Sequence, residues 1–230
     1  MSVHALQFRS CALKIDETLI LCDVHLGYEK SLQRVQLPLF QFEDIIAQLQ
    51  EVLRNDHFKR IIINGDLKDE FSRISNQEWR HVTQFLELCK EHCDDIIVIK
   101  GNHDTLLNPI IRKFKITFVD TYQFDDVFVC HGDKKIPLPD ECKVVIIGHE
   151  HPAITLREGV RTEKYKCFLV GNYEGKQLIV LPAFYSAHQG SDITSAKRLS
   201  PFLPKNLDSF EVFVVGDTVY PFGKVKNIPQ

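Results

Sequence analysis

Five short apolar runs in this chain each stop abruptly at a cluster of polar side chains. In chain order, those polar residues are Asp23 and His25, then Asp66 and Asp69, then Asn102, His103 and Asp104, then His131, and finally His149 and His151. The run Ile61–Asn64 shows the pattern best, because it is β-branched, stops at Gly65 and leads directly into two of the carboxylates. A short β-branched run that ends at glycine is typical of a buried strand. A carboxylate just past such a strand needs a partner, because burying an unpaired charge costs a great deal of free energy.

Each piece also has a purely structural explanation when it is taken alone. Asp66 and Asp69 are suited to the N-cap and first turn of an acidic helix. Asn102 and Asp104 are ordinary turn residues, and a single histidine after a strand, such as His131, is often only hydrogen-bonded. The function therefore has to be argued from the whole set and not from any one member.

The positions of these residues favour a common site. In open α/β sheets, ligands bind at the carboxyl ends of the strands, which is where these side chains fall. Asp23 and His25 are two residues apart, as are His149 and His151. Since alternate residues of an extended backbone point to the same side, we expect each pair to aim at one point. Aspartate, histidine and asparagine without cysteine form a mixed oxygen and nitrogen site, which suits manganese, iron or zinc. So many ligands exceed the needs of one ion and suit two ions that share a carboxylate, roughly 3.5–4 Å apart.

Strand and helix patterns alternate through the first half of the chain. Two amphipathic helices are predicted over Phe42–Leu53 and Asn76–Cys93, where apolar residues recur at helical spacing. Strands are predicted over Ala5–Arg9, Ala12–Ile15, Thr18–Cys22, Ile61–Asn64, Ile96–Lys100, Val127–Cys130, Val144–Ile147, Ile154–Arg157, Lys166–Val170, Gln177–Leu181 and Phe210–Val215. The alternation indicates an α/β fold with parallel strands. The remainder from Pro152 shows mostly strand patterns, so we expect a second sheet packed on the first.

Length and composition limit the class of protein. The 230 residues suit a single domain over 1–230, with a motif-bearing core at 18–151 and a helix-poor second-sheet portion at 152–230. The net charge of −3 excludes a global electrostatic attraction to nucleic acid or to an anionic membrane. The seven cysteines are scattered and several lie in apolar runs, which favours reduced, buried thiols over a disulfide framework. No apolar run has the length of a signal-peptide core or a membrane span, so we expect a cytoplasmic protein with no membrane partner.

Taken together, the polar residues resemble the motif series of the calcineurin-like metallophosphoesterases. The matching stretches are Asp23-x-His25, Gly65-Asp66-x-x-Asp69, Gly101-Asn102-His103-Asp104, His131 and Gly148-His149-x-His151. The resemblance implies an α/β sandwich of two mixed β-sheets flanked by helices, with a dinuclear metal site. It implies one ion held by Asp23, His25, Asp66 and His151. It implies a second ion held by Asp66, Asn102, His131 and His149, so that Asp66 bridges the two.

The resemblance also implies a reaction and two catalytic residues. A water or hydroxide held between two divalent ions would attack phosphorus in line and hydrolyse a phosphate ester. Manganese is the favoured metal, with iron, zinc and nickel as alternatives. His103 would act as general acid on the leaving oxygen. Asp69 would accept a hydrogen bond from His103, which fixes the tautomer of the imidazole and favours its protonated form.

The substrate class is narrowed by local similarity. The stretches Asp23–Tyr28 and Gly65–Leu67 resemble the SbcD-type repair nucleases and their small archaeal-type relatives, and Glu70 stands where protein phosphatases of the superfamily carry arginine. This favours a phosphodiesterase or nuclease, with a phosphate-ester substrate that includes nucleic acid, and is compatible with a homodimer. A small-molecule phosphatase or cyclic-nucleotide phosphodiesterase is an alternative. A third possibility is a catalytically silent scaffold of the same fold, such as the retromer scaffold subunit.

Two further residues stay open at this stage. Lys68 lies between two of the aspartates, and we expect a surface side chain, with a phosphate contact as the alternative. His188 lies in a stretch without a strand or helix pattern. It is either a loop histidine with no role or a side chain that approaches the site.

Overall fold

The computed structural model describes residues 4–27, 41–70, 74–159, 161–185, 189–195 and 197–229. Tyr28 and His188 lie outside these ranges, so the predictions made for these two residues concern positions that are not described. Within the described ranges the chain forms three α-helices and fifteen strands. The strands form two sheets.

The first sheet contains six strands and carries the helices on one face. Its strands are β1 (Leu6–Arg9), β2 (Ala12–Ile15), β3 (Thr18–Leu21), β4 (Phe58–Asn64), β5 (Cys93–Ile99) and β6 (Thr117–Val119), and they lie in that order across the sheet. The pairs β1–β2 and β2–β3 are antiparallel, whereas β3 to β6 are parallel. The helices are α1 (Gln41–Leu53), α2 (Asn76–Glu91) and α3 (Asn108–Phe114). Ser75 and Glu78 form a capping box that fixes the start of α2.

The second sheet contains nine strands and is also mixed. They are β7 (Thr121–Phe124), β8 (Val127–Cys130), β9 (Val144–Ile147), β10 (Pro152–Glu158), β11 (Arg161–Tyr173), β12 (Lys176–Val180), β13 (Ser191–Asp192), β14 (Glu211–Val215) and β15 (Val219–Lys224). The parallel strands β8, β9 and β12 lie side by side in its middle. The long strand β11 pairs with β10 through its first half and with β12 and β14 through its second half. Strands from both sides of residue 152 therefore build this sheet.

Three apolar layers hold the sheets and helices together. Alternate residues of each strand point to opposite faces, as Val127 and Val129 do on one side of β8 and Phe128 and Cys130 on the other. The middle layer lies between the sheets and includes Ile62, Ile97, Val129, Ile146 and Ile179. A second layer joins the first sheet to its helices, and a third packs the outer face of the second sheet against Phe202, Leu203, Leu207 and Phe210. The predicted sandwich of two mixed sheets is thus confirmed, and in the described ranges the helices flank the first sheet.

Most predicted elements are present, and the differences have local causes. The second helix ends at Glu91 and not at Cys93, because Cys93 already begins β5. Helix α3 and four short strands (β6, β7, β13 and β15) were not predicted from the sequence. Pro109 lies in the first turn of α3, where its missing N–H costs no hydrogen bond.

The cysteine prediction is confirmed, since all seven cysteines are free and buried. None of the helices in the described ranges combines the length and the apolar character needed to cross a lipid bilayer.

His4 ties the two sheets together at the end away from the polar strand ends. Its Nδ1 lies 2.8 Å from Asp16, in the turn between β2 and β3, and its Nε2 lies 2.5 Å from Asp126, in the turn between β7 and β8. Hydrogen bonds with Asp16 and Asp126 raise the pKa of His4 above its ordinary value. A raised pKa in the folded state adds stability at low pH, and this contribution is lost as the pH rises through the folded-state pKa.

We therefore expect His4→Ala to lower the free energy of unfolding by roughly 1–2 kcal/mol at pH 6, where the histidine is charged. The difference from the wild type should shrink at pH 9. Urea denaturation of both proteins at the two pH values measures this. His57→Ala is the matched control, because His57 pairs with Asp94 at 2.8 Å on the exposed surface and should contribute little at either pH. An equal loss for His4→Ala at pH 6 and pH 9 would contradict the proposed charged bridge.

Candidate metal centre

The polar strand ends of both sheets meet at one place. Asp23 follows β3, Asp66 follows β4, and Asn102 and His103 follow β5, three neighbouring strands of the first sheet. His131 and His149 follow β8 and β9, which are neighbours in the second sheet. The sandwich brings these two rows of loops together, so that residues far apart in the sequence surround one buried region. All seven candidate metal ligands are buried or partly buried there.

One group of candidate ligands consists of Asp23, His25 and His151. Their ligand atoms all lie within 4.8 Å of one another. Nε2 of His151 is 3.2 Å from Oδ1 of Asp23, and the rings of His25 and His151 are 5.4 Å apart, edge to face. This arrangement places two imidazole nitrogens and one carboxylate oxygen around a common point.

A second group consists of Asp66, His131 and His149, with Asn102 beside it. The ligand atoms of the first three also lie within 4.8 Å of one another. Nε2 of His131 is 3.2 Å from Oδ2 of Asp66 and 3.2 Å from Oδ1 of Asn102. Nδ1 of His131 lies 3.2 Å from the main-chain oxygen of Asn64, which directs Nε2 toward the group.

Asp66 stands between the two groups. Its Oδ2 lies 3.2 Å from Nε2 of His131 in the second group and 3.9 Å from Nε2 of His25 in the first. Its Oδ1 accepts a hydrogen bond of 2.9 Å from the main-chain N–H of His103. One carboxylate is therefore within reach of both groups.

His103 and Asp69 lie beside the first group and contact each other through the main chain of Asp69. Nδ1 of His103 contacts the main-chain oxygen of Asp69, and Oδ1 of the Asp69 carboxylate lies 3.3 Å from Nδ1 of His25. Burial lowers the pKa of His103 and the contact with Asp69 opposes this shift, so the preference of His103 for its protonated form stays a prediction. The ligand atoms of His25, Asp69 and His103 also lie within 4.8 Å of one another.

The backbone of the site differs from the extended conformation assumed in the sequence analysis. Asp23, His25, Asp66, His149 and His151 all have positive φ, between 47° and 61°. The left-handed region costs a non-glycine residue about 1–2 kcal/mol, and such strain is concentrated at functional sites. The expectation that His149 and His151 aim at one point is wrong, because His151 lies in the group of Asp23 and His25, whereas His149 lies in the group of Asp66 and His131.

The loops that carry the aspartates are fixed by one another. The main-chain N–H of Asp23 donates to the oxygen of Gly65, and that of His25 donates to the oxygen of Asp66, at 3.1 and 2.9 Å. Gly101 is required by close approach, because a Cβ there would lie 2.1 Å from Oδ1 of Asp66. The first and second motifs therefore share one hydrogen-bonded framework.

Asp104 has a structural role that the sequence analysis did not assign. Its buried carboxyl group accepts hydrogen bonds of 3.0 Å from the main-chain N–H groups of Leu67 and Gly101. Burial and the neighbouring Asp66 raise the pKa of Asp104 to about 6. This role could have been predicted from the position of Asp104 at the end of the Gly101–Asp104 motif, because an aspartate there is suited to stabilising a turn.

Lys68 is not a surface residue, so that expectation is wrong. Its side chain is fully buried, and its ammonium group donates to the main-chain oxygen of Glu70. The bond closes the loop that follows Asp66, which explains why a long charged side chain turns inward here.

The residues at this place fit two divalent cations. Oδ1 of Asp23 and both ring nitrogens of His25 are buried and make no hydrogen bond of good geometry in the described part of the chain, although Nε2 of His151 lies 3.2 Å from Asp23 and Oδ1 of Asp69 lies 3.3 Å from His25. Burial alone would lower the pKa of His131, but its contacts with Asp66 and Asp23 raise that pKa to about 10. A proton therefore occupies this ring unless a cation takes its place. Burial alone would raise the pKa of Asp66, but His131 and His25 lower it, so the carboxylate is charged.

Comparison with known proteins agrees with this geometry. The family model described as calcineurin-like phosphoesterase matches residues 18–221. The structure of the nuclease MPE from Pseudomonas putida has a TM-score of 0.69 to this chain and 21% sequence identity, and the match covers 95% of this chain and 96% of that one. A single mutant of Vps29 from Entamoeba histolytica matches with a TM-score of 0.39 and 14% identity, over 87% of this chain and 86% of that one.

A predicted phosphoesterase from Streptococcus pneumoniae matches with a TM-score of 0.33 and 14% identity, over 89% of this chain and 92% of that one. The search of curated proteins found no match. The family model covers most of the chain and includes every residue of the two groups. The chain therefore belongs to the calcineurin-like phosphoesterase family and is a metal-dependent phosphoesterase.

Proposed function

We propose that this protein is a dinuclear phosphodiesterase that acts on nucleic acid, and that it is related to the SbcD-type repair nucleases. The observation that carries the proposal is the position of Asp66, whose carboxylate lies within reach of two separate ligand groups. Asp23, His25 and His151 would hold one ion, and Asn102, His131 and His149 the other, with Asp66 shared. We propose manganese at both positions, with iron, zinc and nickel as alternatives.

The bound ions would supply an activated water nucleophile and would neutralise charge on the phosphate. The side chains of the protein position the metal ligands and supply a proton to the leaving oxygen. The carboxylates of Asp66 and Asp23 are charged and are surrounded by histidines. Asn102 adds an oxygen ligand without adding charge. Nδ1 of His103 is held by the main-chain oxygen of Asp69, so Nε2 is the nitrogen that faces the site, 4.0 Å from Oδ2 of Asp66. The lowered pKa of His103 makes its imidazolium a stronger acid, which suits proton transfer to a leaving oxygen.

The charge of the site supports a diester over a monoester. In the described ranges, the ion-pair partners of Asp23 and Asp66 are all histidines. The nearby ammonium group of Lys68 is directed at a main-chain oxygen. A phosphomonoester carries about two negative charges and benefits from arginine or lysine contacts, whereas a diester carries one. The fold similarity to a protein named as a nuclease supports nucleic acid as that diester.

We expect the manganese-loaded protein to hydrolyse bis(p-nitrophenyl) phosphate at least about tenfold faster than p-nitrophenyl phosphate, a difference of about 1.4 kcal/mol in activation free energy. It should also cleave single-stranded DNA. The rates are measured spectrophotometrically and on gels, with metal-free protein as the control. Faster monoester hydrolysis would favour the small-molecule phosphatase, and hydrolysis of a cyclic nucleotide without DNA cleavage would favour the cyclic-nucleotide phosphodiesterase. Bound metal without turnover of any substrate would favour the silent scaffold.

The same proposal includes a cytoplasmic location, a single domain over 1–230 and a homodimer. The free, buried cysteines support a reducing compartment.

A further inference from the structure

Lys166 connects β11 to the neighbourhood of the metal centre, and it lies outside the motif series. Its side chain is partly buried, and its ammonium group donates to two main-chain oxygens, that of Ala183 at 2.8 Å and that of Tyr185. Burial lowers the pKa of Lys166. A lysine held in this way fixes the course of the chain that supplies the two oxygens.

That chain is the 181–185 segment, which follows β12 and runs directly along the first metal-ligand loop. The main-chain N–H of Phe184 donates to the oxygen of Cys22 at 2.8 Å, and that of Tyr185 donates to the oxygen of Asp23 at 3.2 Å. The thiol of Cys22 donates to the oxygen of Pro182 at 3.4 Å. The segment is thus hydrogen-bonded to the residue that carries the first carboxylate and to the residue before it.

Tyr185 extends this support to the next ligand. Its side chain is buried, and its ring lies 6.3 Å from the ring of His25, edge to face. Its hydroxyl group donates to Oε1 of Gln41 at the start of α1, at 2.9 Å. The ring therefore fills the space between His25 and the helix.

The loop that carries Asp23 and His25 has an unfavourable backbone conformation. Asp23 and His25 have φ values of 53° and 47°, which are unfavourable for residues with a Cβ. Such a backbone persists only where the surrounding contacts determine it. The contacts of the 181–185 segment reach the loop of Asp23 and His25, which belongs to the first ligand group, whereas the second group is carried by other loops.

We propose that Lys166 is a positioning residue for the metal centre, which acts through the 181–185 segment to hold Asp23 and His25 in place for the first of the two ions. This inference rests on the proposed dinuclear site. It assigns the larger effect to the first ion, because the 181–185 segment is hydrogen-bonded directly to Cys22 and Asp23, whereas it is linked to Asp66 and His149 indirectly, through the hydrogen bonds of the Asp23 loop.

The test is a titration of metal-free protein with Mn²⁺ by calorimetry, for the wild type and for Lys166→Met. We expect the variant to bind one manganese ion about 10–100-fold more weakly, the range found when a group supporting a metal ligand is removed, and to change the affinity of the other site much less. Lys166→Arg, which keeps the charge and the donors, should restore much of the lost affinity. Lys166→Gln keeps an uncharged NH₂ donor group, so its affinity should fall between those of the other two variants. It takes the place of the methionine variant should that protein fail to fold.

Lys176→Met is the matched control. The ammonium group of Lys176 also binds main-chain oxygens, those of Pro139, Asp140 and Cys142, but these lie before β9, at the end opposite to His149. This variant should lose stability without losing either manganese site. Equal affinities in Lys166→Met and the wild type, or equal weakening by Lys166→Met and Lys176→Met, would overturn the role of Lys166. A wild-type protein that binds no manganese would instead contradict the proposed function.

Discussion

Asp66→Asn is expected to abolish the binding of both metal ions and to remove phosphoesterase activity. The carboxylate of Asp66 is within reach of both ligand groups, with Oδ2 at 3.2 Å from Nε2 of His131 and 3.9 Å from Nε2 of His25. Asparagine removes the negative charge and leaves one oxygen for two ions. The loss of a single hydrogen-bond donor to the transition state lowers the rate by about 10²–10³-fold. We expect the activity of Asp66→Asn to fall by more than this.

The metal content of manganese-loaded protein, measured by mass spectrometry after removal of free metal, tests this prediction, and circular dichroism shows whether the variant is folded. Asp69→Asn is the matched control, since it makes the same chemical change three residues later. Asp69 lies 3.3 Å from His25 but belongs to neither of the two ligand groups, so this variant should keep both ions and mainly slow turnover. If both variants lose the same amount of metal, the separate roles given to the two aspartates are wrong.

His103→Ala is expected to keep both ions and to lose about 10²–10⁴-fold in turnover, the range for a general acid. The loss should depend on the leaving group. It should be largest for a DNA strand, whose leaving alkoxide needs a proton, and smallest for bis(p-nitrophenyl) phosphate, whose leaving phenolate is stable without one. Rates for both substrates, measured beside the metal content, separate proton transfer from metal binding.

His57→Ala controls for the loss of an unrelated histidine, since His57 is exposed and paired only with Asp94 in the described contacts. It should leave both rates unchanged. The outcome that would contradict the assignment is loss of metal from His103→Ala. In that case the group of His25, Asp69 and His103 would be a metal site, and the proton donor would have to be another residue.

The sequence predicted which strand ends would carry the site, because a polar residue after an apolar run is a local signal. The parallel strands were expected from the alternation of helix and strand, and the two-sheet sandwich from the same patterns together with the resemblance. The residues Asp23, Asp66 and His131 were therefore expected near one another.

The backbone of the site could not be predicted in this way. The spacing of His149 and His151 suggested one common target on an extended strand, but both residues have positive φ, 61° and 49°, and the two rings lie in different groups. That conformation depends on contacts with distant loops, such as the bond of 3.0 Å from the N–H of His149 to Oδ2 of Asp23. Local propensity contains no information about such contacts.

The burial of two lysines could not be predicted either, because it depends on parts of the chain that meet only in the folded protein. Lys68 was expected at the surface because lysine usually lies there, yet it closes a buried loop through the oxygen of Glu70. Lys166 had no motif around it, and its bonds to Ala183 and Tyr185 become visible only once β11 and the 181–185 segment are placed together.

The dinuclear site is tested most directly by titrating metal-free wild-type protein with Mn²⁺ and counting the ions bound per chain. Two ligand groups that share Asp66 predict about two ions, and an electron paramagnetic resonance spectrum with magnetic coupling between them. A stoichiometry of about one, or two ions without coupling, would contradict a carboxylate shared between neighbouring metals.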